Sequence, residues 1–486
     1  MSDITPADDR RENTFAAVDL GASSGRVLRG RITTEELTVH EVHRFPNRPL
    51  SLPDGLYWNI GDLYQQTCTG LAAAGPVHSA GIDTWAVDYG LLDAGGTLLG
   101  LPRHYRDPRT EQLPRLPIGV EELFARTGIA DQPFNTVHQL RAESPERLGA
   151  ARQLLMIPDL LGYWLTGVPG SERTNASTAG LYGLAGRDWD RALIAELGLP
   201  ATIFGAIHDP GSIVGTVRPE VGADVGSLVR VGSHDTASAV AAVPATGDSF
   251  AYISCGTWSL VGIERPEPLL TDAARTAGFT NETGVAGFRY LRNVIGLWIL
   301  QECLREWPGL DAAALAAAAA ELPPLRAVID VDDPAFAAPG TPTDPMPARI
   351  AARCDGPVPG TPAEFARCVI DSLALGHARA VADTIRTSGH PVTVVHVVGG
   401  GARNALLCQA TADACGLPVL AGPAEATALG NLLSQAITAG VLPDWSAARR
   451  LVATTYRPHR YEPSGDPGGA EATYRFGALD DGRVTG

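Results

Sequence analysis

The chain has 486 residues, 45% hydrophobic and 19% charged, enough for two or three domains with separate cores and too long for a single small module. Its formal charge, 38 − 54 = −16, is acidic, which excludes the basic footprint of a nucleic-acid partner. All 38 basic residues are arginine, so the Walker A loop, the protein-kinase lysine and Schiff-base catalysis are excluded together.

The opening residues, MSDITPADDRREN, lack the apolar segment of a secretory signal, and no apolar run reaches the roughly 18 residues of a membrane span. A cytoplasmic protein without a membrane partner is expected. The cysteines Cys68, Cys255, Cys303, Cys354, Cys368, Cys408 and Cys415 form no C-x-x-C pair and read as mostly reduced thiols. Cys354 and Cys368 flank a Pro/Gly loop and are the pair placed to bridge.

In chain order, residues 14–19 read as a buried strand, Gly21 to Gly25 as a tight turn, and 26–32 with 37–44 as two further strands. Residues 61–74 are predicted helical. Segments 77–83 and 86–92 make a strand pair, and 120–205 is mainly helical, with an amphipathic run starting at Pro158 and Asp159. A strand at 228–232 leads into Ser233, His234, Asp235 and Thr236, then a small-residue helix through Val243 and a linker at 244–248.

The segment after this linker repeats the N-terminal pattern. FAAVDLGASS (15–24) and FAYISCGTWS (250–259), at a constant offset, share Phe, Ala, Gly and Ser positions, and each is a strand, a Gly/Ser/Thr turn and a returning strand. This predicts a duplicated domain, 14–244 and 249–440, with an extension over 441–486. The second half continues with helices at 294–307 and 311–321, a Pro/Gly-rich loop over 332–362 and a long helix at 363–387. A strand at 392–398 then runs into Gly399, Gly400 and Gly401 and a helix over 402–415, followed by a strand at 418–421 and a helix from 424. The tail after about 463 is polar and Gly-rich and is expected to fray.

Three elements offer backbone N–H groups to an anion: the turns 21–25 and 255–257 and the triglycine. Such turns bind phosphate because side chains do not block the approach, and without lysine the backbone must do most of that work. The hydroxyls of Ser23, Ser24 and Thr257 add donors. Asp19, ending the first strand, is placed to hold Mg²⁺ through water. Asp235 stands at a strand-to-helix boundary, where a carboxylate serves either as a helix cap or as a general base. Asp83 ends another strand beside Trp85, an aromatic suited to the wall of a sugar site; its plainer reading is a turn carboxylate. G-x-S-x-G at 21–25 is not a hydrolase elbow, because a strand rather than a helix follows. His40 and His43 sit three apart on a strand and face opposite sides, which argues against zinc.

The ordered motifs VDLGASSGR (18–26), GIDTWAVDYGLLD (81–93), YRDPRT (105–110), PFNT (133–136), TNAST (174–178), SHDTASAV (233–240), SCGTWSL (254–260), RNVIGLWILQ (292–301) and VVGGGARN (397–404) together resemble the FGGY family of carbohydrate kinases. The resemblance runs from about residue 14 to 440. It implies an α/β fold of two actin-like (ribonuclease H-like) domains flanking a nucleotide and sugar cleft whose closure excludes water, with ATP and Mg²⁺. Within the family it points to L-rhamnulose as acceptor, phosphorylated at O1, as in L-rhamnose catabolism.

Residue by residue, the resemblance makes Asp235 the base, with His234 and Thr236 contacting the ketose and Asn293 facing it. Ala22, Ser23, Ser24, Gly25 and Arg26 line the ATP phosphates, with Thr257, Gln301 and Gly400 on the nucleotide. Arg26 or Arg403 supplies fixed positive charge. Related sequences usually read GIDTWG where this chain has Ala86, a methyl that narrows the sugar pocket. Two alternatives remain: another sugar of the same family, such as fuculose or xylulose, and an actin- or chaperone-like ATPase that phosphorylates nothing.

Overall fold

A computed structural model of the chain describes residues 12–465; the expected fraying beyond Gly465 lies outside the described residues. The described residues divide into two compact units: the first comprises residues 12–242, 265–290 and 426–455, and the second 243–264, 291–425 and 456–465. Among the described residues no helix is long and apolar enough to cross a membrane.

The first unit is built on β1 (Thr14–Leu20), β2 (Ser24–Ile32), β3 (Leu37–Pro46), helix α1 (Ile60–Ala74), β4 (Val77–Thr84), β5 (Ile213–Gly215), β6 (Val225–Val229) and helix α2 (Asp235–Ala241). Its sheet order is β5-β6-β4-β1-β2-β3. Every residue of β1 is buried, as a central strand covered on both faces requires. β1 runs antiparallel to β2 and parallel to β4, and β4 runs parallel to β6. The parallel pairs carry Asp19 and Thr84 to the same end of the sheet as the segment after β6.

The second unit uses β7 (Phe250–Cys255), nearly all of β8 (Trp258–Arg265), the part of β9 (Phe288–Ile295) from Leu291 on, helix α3 (Pro362–Ser388), β10 (Val394–Val398), helix α4 (Ala405–Cys415), β11 (Val419–Ala421) and β12 (His459–Tyr461). The order β9-β8-β7-β10-β11-β12 repeats the first unit's logic: β7 is antiparallel to β8, parallel to β10, and β10 is parallel to β11. The strand-turn-strand pattern of 15–24 and 250–259 appears as β1-β2 and β7-β8, while the units themselves are interleaved in sequence rather than contiguous over 14–244 and 249–440. Helix α3 has clear local start and stop signals: Thr361 and Glu364 form a capping box around Pro362, and Gly389 closes the helix in the left-handed region at φ 65°. Helix α5 (Ala426–Thr438) follows β11 in sequence and belongs to the first unit.

Several predicted elements differ. Segments 77–84 and 89–92 do not pair with each other: β4 joins the main sheet, while Tyr89–Leu92 pairs with Gln153–Met156. The turn between them, not a hairpin, redirects the chain. The helix expected from 294 starts at Trp298, because the strand before it runs to Ile295. The loop 332–362 contains the helix Met346–Arg353, which Met346 and Ile350 bury on one face. The triglycine opens a 3₁₀ turn, Gly400–Arg403, and α4 begins only at Ala405, where Asn404 Oδ1 caps the amide of Leu407 at 3.1 Å. All seven cysteines are free, Cys354 and Cys368 included.

Candidate active site

In the first unit the cross-strand register places Asp19 opposite Arg26 on β2 and beside Asp83 on β4. Arg26 donates to Asp19 through Nε at 2.9 Å and Nη2 at 2.7 Å, both to Oδ2. The turn between β1 and β2 is pinned by Gly21 N donating to Ser24 O, Asn47 N to Ser23 O and Asn47 Nδ2 to Gly21 O, at 2.9, 3.0 and 2.8 Å. Ala22 and Ser24 are partly exposed and Ser23 is exposed, while Gly25 is buried against Phe45. Strand β2 follows this turn directly, as the reading of 21–25 as a non-hydrolase turn requires.

Asp83 is fully buried. Its Oδ2 accepts from Asn431 Nδ2 at 2.6 Å, and its Oδ1 has no hydrogen-bond partner. Burial, then the neighbouring Asp19, pushes its carboxyl well above the ordinary range, with Asn431 opposing and Asp235 adding to the rise.

The segment after β6 joins the same end. Thr84 N donates to Ser233 O at 2.9 Å, and Thr84 bridges His234 in parallel pairing. Asp235 opens α2, with its side chain 32% exposed and Oδ1 accepting from Thr236 Oγ1 at 3.0 Å. Burial raises its carboxyl; His234 works against the rise and Asp19 adds to it. His234 Nε2 lies 3.4 Å from Asp235 Oδ1. The loop is clamped by Glu172, fully buried, whose Oε2 accepts from Ser233 Oγ at 2.7 Å, Ser233 N at 3.1 Å and Thr174 Oγ1 at 2.6 Å.

Ala86 is partly exposed and precedes Val87, whose φ of 65° is unusual for a β-branched residue. The Val87 carbonyl accepts from Thr136 Oγ1 at 2.6 Å, so the PFNT motif holds this loop. Trp85 is buried rather than a free wall. It stacks on Trp58 with centroids 3.7 Å apart, and Trp58 stacks on His104 at 4.0 Å. Asp88 ties the stack together, accepting from Trp58 Nε1 at 2.6 Å, Trp85 Nε1 at 3.1 Å and Gln139 Nε2 at 2.7 Å.

The second unit gathers another set. Gly399 has φ 81°, and a Cβ there would lie 2.9 Å from the Cys255 carbonyl oxygen; at Gly401 it would meet Cys255 Sγ. Glycine therefore lets the triglycine lie directly on the 255–257 turn. Thr257 Oγ1 reaches Gln301 Oε1 at 3.5 Å, and Gly400 is exposed with nothing within 4 Å of a Cβ position. Asn293 stands on β9, partly exposed. Of the two arginines expected to supply fixed positive charge, Arg403 is paired with Glu425 and Arg26 with Asp19.

The residues singled out in the sequence thus form two groups: Asp19, Arg26, Asp83, His234, Asp235 and Thr236 in the first unit, and Thr257, Gln301 and Gly400 in the second. Not among them were Glu172, Glu282, Arg289, Asp88 and Asn431. Glu172 stands just before the TNAST motif, and Glu282 lies inside an Asn-x-Thr sequon, so both were adjacent to visible signals.

The chain matches the FGGY family of carbohydrate kinases, N-terminal domain, over residues 53–242 and the C-terminal domain over 251–439. It belongs to the FGGY family of carbohydrate kinases. As a family member it is an ATP-dependent sugar kinase with two α/β domains. It is 41% identical over 471 residues to a rhamnulokinase of Enterococcus faecalis, covering 93% of this chain and 94% of the relative. To a rhamnulokinase of Enterobacter sp. it is 42% identical over 465 residues, covering 91% and 94%. A xylulose kinase structure from Rhodospirillum rubrum, 20% identical, superposes with a TM-score of 0.74 over 96% of this chain and 98% of that one, which shows the shared fold.

Proposed function

We propose that this FGGY kinase transfers the γ-phosphoryl group of ATP to O1 of L-rhamnulose, giving L-rhamnulose 1-phosphate and ADP. The observation that carries the sugar assignment is the 41–42% identity, over more than nine-tenths of either chain, to proteins that bear the name rhamnulokinase. A cytoplasmic location fits a reaction that consumes ATP and a small ketose.

Asp235 is the base. Its Oδ1 is engaged by Thr236, which leaves Oδ2 to accept the O1 proton as O1 attacks the γ-phosphorus and the bond to the departing ADP oxygen breaks. The upward push that burial gives this carboxyl brings its basicity closer to that of a working base. His234 and Thr236 flank the carboxylate and contact the ketose, joined by Asp83, Ala86 and, from the second unit, Asn293. Phosphate contacts fall to the backbone and hydroxyls of Ala22, Ser23, Ser24 and Gly25, to Arg26, and to Thr257, Gln301 and Gly400.

Mg²⁺ fits Asp19 through water. Among the described residues no group of three or more His, Cys, Asp or Glu side chains can cage a metal ion, and Asp19 Oδ2 is already taken by Arg26. Asp19 would therefore hold Mg²⁺ through the ion's own waters, which it gives up reluctantly. Held there, the ion would supply charge neutralisation at the phosphate oxygens.

The test is ADP release with Mg²⁺ and ATP across rhamnulose, fuculose, xylulose and glycerol. The proposal requires the highest kcat/KM with rhamnulose. A preference for fuculose or xylulose would replace the sugar while keeping the kinase; ADP release indifferent to any sugar would replace the reaction.

A further inference from the structure

The imidazole of His234 is gripped on the side away from Asp235. Arg289 is 0% exposed, and its Nη2 donates to His234 Nδ1 at 3.1 Å and to the Thr283 carbonyl at 3.2 Å. A guanidinium is a donor only and keeps its protons. The ring nitrogen it addresses must therefore accept. A neutral imidazole carries one proton, so with Nδ1 accepting, that proton sits on Nε2, the nitrogen 3.4 Å from Asp235 Oδ1.

Glu282 supplies the counter-charge. Its Oε2 is 2.9 Å from Arg289 Nη2 and 3.1 Å from His234 Nδ1. The hydrogen bond at Nδ1 is the one Arg289 donates, and the Glu282 carboxylate lies beside both groups as their counter-charge. Burial pushes the Glu282 carboxyl up, but Arg289 and then His234 outweigh it and hold the group below its ordinary value. A buried guanidinium with no such partner would be strongly destabilising.

We propose that Arg289, with Glu282 as its counter-charge, is a positioning residue that fixes His234 as the Nε2–H tautomer and aims that N–H at Asp235. The inference rests on Asp235 being the base. Its consequence is that the Thr236 hydroxyl donates to Oδ1 and the His234 N–H faces the same oxygen from 3.4 Å, so the proton from the sugar goes to Oδ2. Neither Arg289 nor Glu282 touches the reacting atoms in this arrangement. They act through the ring, as outer partners of a histidine set its tautomer elsewhere.

The experiment labels the full-length chain with ¹⁵N-histidine and reads the tautomer by two-bond ¹H–¹⁵N correlation, with His234 assigned by the signal lost in His234→Asn. The unaltered chain is expected to show His234 protonated on Nε2 and bare on Nδ1. Replacing both charges together, Arg289→Met with Glu282→Gln, should average the two tautomers. It should also lower kcat for sugar phosphorylation about tenfold to a hundredfold while KM for ATP stays within about twofold, because uniform nucleotide binding is untouched. A His234 protonated on Nδ1, singly or together with Nε2, in the unaltered chain overturns the proposal. So does a double replacement that folds and keeps the Nε2–H pattern. If the double replacement does not fold, the spectrum of the unaltered chain decides. That spectrum involves no turnover, so it stands apart from whether Asp235 is the base, which Asp235→Asn tests separately.

Discussion

Asn431 Nδ2 donates to Asp83 Oδ2 at 2.6 Å, across a separation of 348 residues. The contact brings α5, which follows the last parallel strand of the second unit in sequence, against the carboxylate at the end of β4. It continues through Gln435, whose Nε2 donates to Asn431 Oδ1 at 2.7 Å and to the Ala16 carbonyl at 2.9 Å, while Ser79 Oγ donates to Gln435 Oε1 at 2.7 Å. A buried polar chain of this kind is stabilising only while each member keeps its partner.

Asn431→Ala removes a donor from a carboxyl whose other oxygen already has none. Leaving that group unsatisfied costs about 2 kcal/mol or more. Urea denaturation should show that loss, together with reduced sugar affinity if Asp83 lines the sugar site. Unchanged stability would mean that Asp83 does not depend on this contact.

Gly430 sits where α5 crosses α2. A Cβ there would fall 1.8 Å from the Ser238 carbonyl oxygen, which is backbone and has no rotamer by which to retreat. Gly430→Ala is expected to cost about 3 kcal/mol and to lower kcat as well, since Ser238 and Asp235 share one short helix. Thermal unfolding of the variant checks the first part and sugar turnover the second.

The parts of this site that sequence made legible are those carried by local pattern. A continuous apolar run ending in Asp19, a Gly/Ser turn and an alternating strand specify the hairpin and its phosphate-side turn by themselves. The same pattern at 250–259 made the duplication readable. The hidden parts depend on distant pairing. Asn431 looks like any polar residue on a small-residue helix until that helix is laid against β4. Arg289 is one arginine among 38 until its strand brings it behind His234. Strand partners were misassigned for the same reason: alternation locates Val77–Thr84 but does not say that β1, far back in the chain, is its neighbour.

Glu172 holds Ser233 by both its amide and its hydroxyl, one residue before His234. In Glu172→Gln the amide N–H₂ confronts donors where an oxygen had accepted, so the loop shifts. Displacement of a reacting group by a fraction of an ångström to an ångström costs up to about 10²-fold in rate. The expected result is kcat lowered by about tenfold or more with ATP affinity retained, read by steady-state kinetics and nucleotide titration. A wild-type kcat would show that the loop holds its position without the clamp.

His377 gives a pH signature of its own. On α3 it is fully buried, with Nε2 2.9 Å from Ser259 Oγ and Nδ1 3.3 Å from Thr411 Oγ1. Burial pushes its pKa down from 6.5 to about 3. Its folded value is depressed, so the unfolded chain takes up the proton first as pH falls. The contribution is fully present above about pH 6.5 and is lost progressively towards pH 3. Between pH 7 and 5 the stability of the unaltered chain should drop by roughly 2 kcal/mol relative to His377→Gln, measured by urea denaturation at both pH values. A difference that does not change with pH would contradict a neutral buried imidazole.

The central role in the chemistry falls to Asp235, as the group that takes the sugar proton. The most direct measurement is phosphorylation of L-rhamnulose by Asp235→Asn, with ATP binding and thermal unfolding measured on the same preparation. The expected variant is a folded chain that binds ATP with near-normal affinity and transfers phosphate at least about 10²-fold more slowly, within the range of a lost general base. Near-normal turnover by that variant would contradict the role of Asp235 as base.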